Sequence, residues 1–305
     1  MDRSAAEYNP NLYHNKGMAH KIILHPETVH CRLTGIVPLL VFVLLVSGCS
    51  DDPGPIHNSG QEISVLSRII SGYDFQAGDK IGIYPVGYLN SQPGTPGDIT
   101  YPLNMPMTYD GTGWKPETED YLFSDEAVLD IYAYAPYDPE LSNVPGKLDM
   151  RNYPMDFSVQ QNQKAIDLLW IKTSVITQDT NIADLQFRHL FSKITIRLRM
   201  TGIGNRDISA EMYNVCATCT VNLTTGEVTT GTTTNVLTDI PVTERTADMV
   251  VLEAIVPPQS IVGTTPLFMF EIGELKTTYT TDRTLDIQQG VNYTFDLRIG
   301  NQVQP

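Results

Sequence analysis

The sequence predicts an all-β protein built as β-sandwiches, and three observations support this fold class. Apolar and polar residues alternate with a period of two in several short stretches, as they do in strands with one buried face. Turn-forming pairs that contain glycine separate these stretches. Long amphipathic helical patterns are nearly absent from the sequence.

The strands are predicted from two kinds of pattern. In residues 193–200 (KITIRLRM) and 291–299 (VNYTFDLRI) every second side chain is apolar, which predicts half-buried strands. Residues 128–136 (VLDIYAYAP) and 249–257 (MVVLEAIVP) are more continuously apolar, which indicates strands covered on both faces. The segment that begins at Lys164 (KAIDLLWI) fits either a helix or a strand, and the sequence leaves it open.

Composition changes along the chain and suggests two domains. Tyrosine and proline are frequent before about residue 180, whereas threonine dominates afterwards, as in TTGTTTNVLT. We therefore expect an N-terminal β-sandwich domain over 61–183 and a C-terminal one over 184–305.

An export signal is predicted near the N-terminus. Residues 36–46 form an apolar run of 11 residues, interrupted only by a proline. This run is too short to span a membrane, which takes about 20 residues, but it matches a secretory signal. It ends in VSGC, which resembles the lipobox of bacterial lipoproteins, so we expect cleavage between Gly48 and Cys49 and a lipid on Cys49. Residues 1–48 would then be removed, and the polar stretch 49–60 would be a lipidated tether.

The residues after Cys49 bear on localisation. Ser50, Asp51 and Asp52 resemble the acidic signal that sends some lipoproteins to the outer face of the outer membrane. We therefore expect a lipid-anchored outer-membrane protein at the cell surface.

Charge and histidine content exclude several functions. The net charge of −15 repels nucleic acid, whose binding depends on neutralised phosphates. Only His57 and His189 follow the predicted signal, which disfavours general-base and zinc chemistry. The carboxylates between residues 117 and 126 are interpreted as a solvated acidic loop rather than a calcium site. No cofactor, metal or catalytic residue is expected, and the protein is predicted not to be an enzyme.

Individual residues have structural interpretations. Cys216 and Cys219 form a lone C-x-x-C pair, for which a local disulfide and two free thiols both stay open. Trp114 and Trp170 are assigned to the core, and His189, among apolar neighbours, is expected to be a hydrogen-bonded structural residue.

Eight segments are distinctive in their order and spacing: FQAGDKIGIYP from Phe75, YDGTGWKP from Tyr109, LDIYAYAPY from Leu129, DLLWIK from Asp167, LQFRHLFSKITIRL from Leu185, VNLTTGEV from Val221, AIVPPQSI from Ala254 and GVNYTFDL from Gly290. Together, over about residues 63 to 299, they resemble the fimbrillin family, which comprises the subunits of type V pili and their relatives.

The resemblance implies a fold and an assembly mechanism. Family members have two tandem transthyretin-like β-sandwich domains. In those that polymerise, an arginine-specific protease removes the first strand, and a C-terminal strand of a neighbouring subunit fills the groove by β-strand addition. Expected partners are therefore other pilus subunits, the membrane through the Cys49 lipid, and a receptor on a host or bacterial surface.

The resemblance assigns the steps of this mechanism to specific residues of the sequence. Residues 62–66 (EISVL) would be the first strand, with Ile63 and Val65 on one face. The bond between Arg68 and Ile69 is the candidate maturation site. The donor-strand anchors would be Tyr293, Phe295 and Leu297.

Two other classes of protein compete with this interpretation. One is a non-polymerising outer-membrane lipoprotein that binds glycans through exposed aromatic residues. The other is a β-sandwich hydrolase, which the absence of a recognisable carboxylate pair or nucleophile motif disfavours.

Overall fold

The protein is all-β in a computed structural model that describes residues 25–31, 61–62, 64–70, 74–89, 92–94, 104–117, 123–124, 128–141, 148–176 and 182–300. This confirms the predicted fold class. Among these residues helix is confined to one α-helical turn, α1 (Gln163–Ile166), and one 3-10 turn, Ile203–Asn205. Within the described part of the chain, no helix is long and apolar enough to cross a membrane.

The strands lie in two groups along the chain. Those up to His189 are β1 (His25–Cys31), β2 (Gln61–Glu62), β3 (Ser64–Ile69), β4 (Lys80–Leu89), β5 (Gln92–Pro93), β6 (Met105–Tyr109), β7 (Trp114–Pro116), β8 (Phe123–Ser124), β9 (Val128–Ala135), β10 (Tyr153–Asp156), β11 (Leu169–Ile176) and β12 (Ile182–His189). The later strands are β13 (Ser192–Arg199), β14 (Ile208–Val215), β15 (Thr218–Asn222), β16 (Glu227–Thr230), β17 (Asn235–Leu237), β18 (Val242–Arg245), β19 (Met249–Val256), β20 (Gln259–Ile261), β21 (Pro266–Ile272), β22 (Leu275–Thr280), β23 (Leu285–Ile287) and β24 (Asn292–Arg298).

The four stretches predicted as strands are confirmed as β9, β13, β19 and β24. β9 is buried on both faces, as its continuous apolar run predicts. The open segment from Lys164 divides between α1 and β11.

The N-terminal half is one curved sheet with the strand order β3-β12-β11-β9-β4-β6-β7. Its inner face encloses a core to which every strand on this path contributes. The outer face is covered in part by a small sheet, β10-β15-β16, in which β10 pairs with a hairpin from the later half of the chain.

The C-terminal half is a two-layer sandwich. One layer has the order β1-β24-β13-β19-β18, the other β17-β14-β21-β22, and the apolar side chains of both layers form a common core. β1 lies within residues 1–48 and pairs antiparallel with β24. Without β1, the outer edge of β24 would be unpaired.

Glycines allow a close approach at the start of β4. Gly78 has a φ of +93°, which suits glycine. A Cβ atom on Gly82 would lie 2.2 Å from the Tyr134 ring and 2.5 Å from the Asn104 side chain. Tyr134 donates a hydrogen bond of 2.7 Å to that same Asn104 oxygen, and burial raises the pKa of Tyr134. A side chain at residue 82 would therefore displace this hydrogen-bonded pair, whereas Gly78 is required for its backbone conformation.

The division into two domains stays a prediction. β12 runs through the expected boundary between 183 and 184, and it belongs to the N-terminal sheet because it pairs with β3 and β11. A division that keeps this sheet whole falls after His189.

Candidate functional site

The first strand of the N-terminal sheet, β3, lies at a sheet edge. Among the described residues it pairs with β12 alone, in parallel, in a register from Ser64 opposite Ile182 to Ile69 opposite Phe187. β3 overlaps the predicted first strand at residues 64–66 and continues through Ile69, and Ile63 lies outside the described residues. A parallel edge strand is held by one ladder of slanted hydrogen bonds, so it is the least secured strand of such a sheet.

The two faces of β3 differ in burial. Val65 is 7 % exposed and belongs to the N-terminal core, as the alternation predicts. Leu66, on the other face, is 55 % exposed, and Ile70, just after the strand, is also exposed. The strand therefore places Val65 in the core, with Ile69 packed in part against it, while Leu66 and the following Ile70 remain in water.

A side-chain contact joins β3 to the opposite edge of the curved sheet. The indole N–H of Trp114, on β7, donates a hydrogen bond of 2.7 Å to the Ser67 hydroxyl. Trp114 is buried, which confirms its assignment to the core, and Phe75 lies edge-on to it at 5.0 Å. No local pattern predicts the Ser67 contact, because the two residues lie on strands that are distant in the chain.

Arg68 occupies an internal position of β3, opposite Gln186. Its side chain is 60 % exposed and lies 3.4 Å from the Asp184 carboxylate. An exposed ion pair of this kind contributes little stability. The side chain is accessible, but the backbone of Arg68 is part of the sheet, so a protease would need β3 to leave the sheet first.

The predicted donor-strand anchors lie in the C-terminal core. Tyr293, Phe295 and Leu297 are all buried on β24. Phe295 packs edge-on against Phe268 at 5.0 Å, and the Tyr293 hydroxyl donates to the Asp286 carbonyl at 2.8 Å. These side chains therefore stabilise their own subunit as it stands.

The remaining candidates have structural roles. Cys216 and Cys219 are free and buried, which decides between the two open readings in favour of free thiols. Burial raises the pKa of the Cys219 thiol to about 12. His189 Nδ1 lies 2.8 Å from the Asp167 carboxylate, and the buried Trp170 donates its indole N–H to the Leu223 carbonyl.

The predicted lipidation site falls outside the described residues. This holds for both Gly48 and Cys49. Within the described ranges no group of three His, Cys, Asp or Glu side chains could hold a metal ion.

The fold and its edge define a β-sandwich protein whose first core strand, β3, is a short parallel edge strand. The model of the fimbrillin-like family matches residues 67–305, well over half of the sequence. The chain therefore belongs to the fimbrillin-like family, which confirms the resemblance. No curated protein matches it.

Solved structures share the fold. One is a protein of Bacteroides uniformis described as a candidate cell adhesion protein; it is 22 % identical, with a TM-score of 0.61, over 79 % of this chain and 93 % of that one. Another, of Bacteroides ovatus and described in the same way, is 15 % identical, with a TM-score of 0.64, over 80 % and 94 %. At these identities the likeness establishes the fold alone.

Proposed function

We propose that this protein is a cell-surface fimbrial subunit or adhesin that assembles by β-strand addition after export as a lipoprotein. Membership of the fimbrillin-like family supports the fimbrial or adhesive role, and the descriptions of the two Bacteroides structures agree with it. The partners would be other pilus subunits, the outer membrane through lipid on Cys49, and a surface receptor. The role is structural rather than enzymatic.

One observation carries the assembly step: β3 is an edge strand that nevertheless supplies a core side chain. If β3 were removed, the edge of β12 would lose the partner that it has on that side in the described part of the chain, and the space filled by Val65 would open. A strand from another subunit could then restore the hydrogen bonds with its backbone and the core with an apolar side chain.

Cleavage between Arg68 and Ile69 is the proposed trigger. The Arg68 side chain is accessible, and the strand around it has the features of a weakly held segment: parallel pairing, an exposed Leu66 and a surface ion pair. We propose that β3 detaches transiently and is cut while detached. Cleavage would make detachment irreversible and leave the groove open.

Donation of β24 to another subunit costs the donating subunit part of its apolar core. The strand would withdraw Tyr293, Phe295 and Leu297 from the core of the donating subunit, at about 1.5–3 kcal/mol for each side chain. Assembly through this strand therefore requires the groove beside β12 to bury comparable apolar area. We propose that Phe295 and Leu297 fill the space that Val65 leaves.

The test is to determine the N-terminus of protein isolated from the surface of its native cell by mass spectrometry, together with its assembly state by electron microscopy. Polymers whose subunits begin at Ile69 are the expected result. Arg68→Ala should abolish both the new terminus and the polymers. Arg206→Ala, at an exposed arginine outside the strands, is the matched control and should change neither. Polymers whose subunits retain β3 would contradict the mechanism.

A further inference from the structure

A cleft with a largely apolar lining lies between the two halves of the chain, away from the β3 edge. Its volume is about 250 Å³, and it is bounded by α1 and Asp167 on one side and by strands β13, β19 and β24 on the other. Sites for small ligands typically occur at such junctions, with volumes from about 300 Å³ upward. The cleft lies slightly below this range, so it has room for no more than one small molecule.

The floor and walls of the cleft are rigid. Three neighbouring strands place Asn292, Lys193 and Ile255 in one row, because Lys193 is paired with both of the others. Phe191 and Ile255 are buried and form the apolar part of the lining. The segment before α1 is fastened above them by Gln160, which is fully buried and bonds to both the N–H and the C=O of Ile255, at 2.9 and 3.0 Å.

The turn before β24 passes close to the backbone of His189, and this approach depends on one glycine. A Cβ atom on Gly290 would lie 2.8 Å from the carbonyl oxygen of His189, and its φ of +70° suits glycine. This approach brings Asn292 to the cleft beside His189.

The cationic side chains of the cleft and its histidine each lie beside a carboxylate. Lys193 lies 3.1 Å from Glu253, Lys164 lies 2.5 Å from Asp79, and His189 lies 2.8 Å from Asp167. The cleft therefore offers donors and acceptors, and its lysines are already paired. The Asn292 amide, which is exposed at the rim, makes no hydrogen bond to another described residue and can both donate and accept.

We propose that this cleft binds a single uncharged sugar unit. Such a molecule carries hydroxyl groups that both donate and accept, which suits the Asn292 amide and the paired Lys193 and Glu253. It also has an apolar C–H face, which suits the patch formed by Phe191 and Ile255. A carboxylate or a phosphate would have to compete with Asp79, Asp167 and Glu253 for the cations. The inference does not rest on strand assembly, since the cleft is complete in a chain that retains β3.

The test uses the protein from Cys49 onward, produced without lipid, and saturation-transfer NMR with three sets of ligands. These are neutral methyl hexosides and N-acetylhexosaminides, the corresponding uronic acids, and free amino acids. Binding of at least one neutral sugar at millimolar concentration is expected, with weaker binding of its uronic acid. Absence of neutral-sugar binding at tens of millimolar, or binding of the charged ligands alone, would overturn the proposal.

Matched variants locate the binding. Asn292→Ala removes the hydrogen bonds of one side chain and should raise the dissociation constant about 3- to 10-fold. Asn235→Ala is the control, because Asn235 is also an exposed asparagine at the first position of a strand in the C-terminal half. It should leave the dissociation constant unchanged. Equal effects of the two variants, or no effect of Asn292→Ala, would place the sugar elsewhere and overturn the assignment. Circular dichroism and thermal unfolding confirm that both variants are folded.

Discussion

Replacement of Val65 by asparagine tests the idea that one side chain anchors β3 to the sheet. Val65 is 7 % exposed in the N-terminal core, whereas its neighbour Leu66 is 55 % exposed on the opposite face. Val65→Asn and Leu66→Asn therefore introduce the same amide at adjacent positions, one into the core and one into water. An uncharged residue is chosen because Leu66 lies opposite Asp184 in the register.

The expected magnitudes differ clearly. Val65→Asn loses about 1.5–3 kcal/mol of apolar burial, and an amide buried without partners adds about 1–3 kcal/mol. We therefore expect the free energy of unfolding to fall by about 3–5 kcal/mol. If β3 detaches from the sheet instead, the loss cannot exceed the free energy with which β3 docks. Leu66→Asn should change the free energy of unfolding by no more than about 0.5 kcal/mol.

Two assays follow the strand. Urea unfolding gives the free energy, and Trp114 fluorescence reports on β3 because the indole donates its hydrogen bond to Ser67. Digestion by an arginine-specific protease, with mass spectrometry of the product that begins at Ile69, measures detachment. A detachment equilibrium shifted by about 3 kcal/mol should accelerate that cleavage roughly 100-fold when the rate follows the open population. Equal effects of the two variants, or an unchanged cleavage rate in Val65→Asn, would refute the anchoring role of Val65.

Three further predictions concern other parts of the fold. Gly82→Ala places a methyl group 2.2 Å from Tyr134 and should cost at least about 1–3 kcal/mol in urea unfolding, whereas Gly113→Ala, with no atom within 4 Å, should not. The pKa of Asp110, lowered to about 2 chiefly by the Thr112 hydroxyl and also by backbone N–H groups, should rise in Thr112→Ala in a carboxyl NMR titration; because the folded pKa is depressed, any stability it contributes is present above the ordinary carboxyl pKa and is lost as pH falls toward 2. Burial raises the pKa of the Cys219 thiol to about 12, so this thiol should resist alkylation at pH 8 in the folded chain and react once guanidinium unfolds the chain. Rapid labelling of Cys219 in the native protein would contradict its burial.

The sequence was informative where structure depends on local pattern. β13 and β24 follow from alternation and β9 and β19 from continuous apolar runs, because strand burial repeats every two residues or covers both faces. The secondary structure of the segment from Lys164 could not be assigned from the sequence for a physical reason. The segment contains one helical turn and the start of a strand, so neither the helical nor the strand periodicity extends far enough to be recognised.

The pairing of distant strands could not be predicted in the same way. The residues of β10 are paired with those of β15, Tyr153 opposite Val221, across a part of the chain that includes β11 to β14. Nothing local in either stretch specifies this partner. The same holds for Gln160, whose amide bonds to Ile255. A change in composition along the chain therefore does not reveal that the later half covers the N-terminal sheet.

The edge beside β3 and the cleft share a stretch of backbone, yet they use different parts of it. β3 pairs with residues 182–187 of β12, whereas the cleft begins at His189 and continues through Phe191 to Lys193. His189 is held by its own pairing with Leu169 and by Asp167, neither of which is on β3. Replacement of β3 by a strand of another subunit would thus restore the same ladder on β12 and leave the contacts around the cleft in place. A subunit that accepts a strand at this edge and keeps its own β24 could therefore assemble and bind a sugar at the same time, whereas donation of β24 would withdraw Asn292 from the cleft.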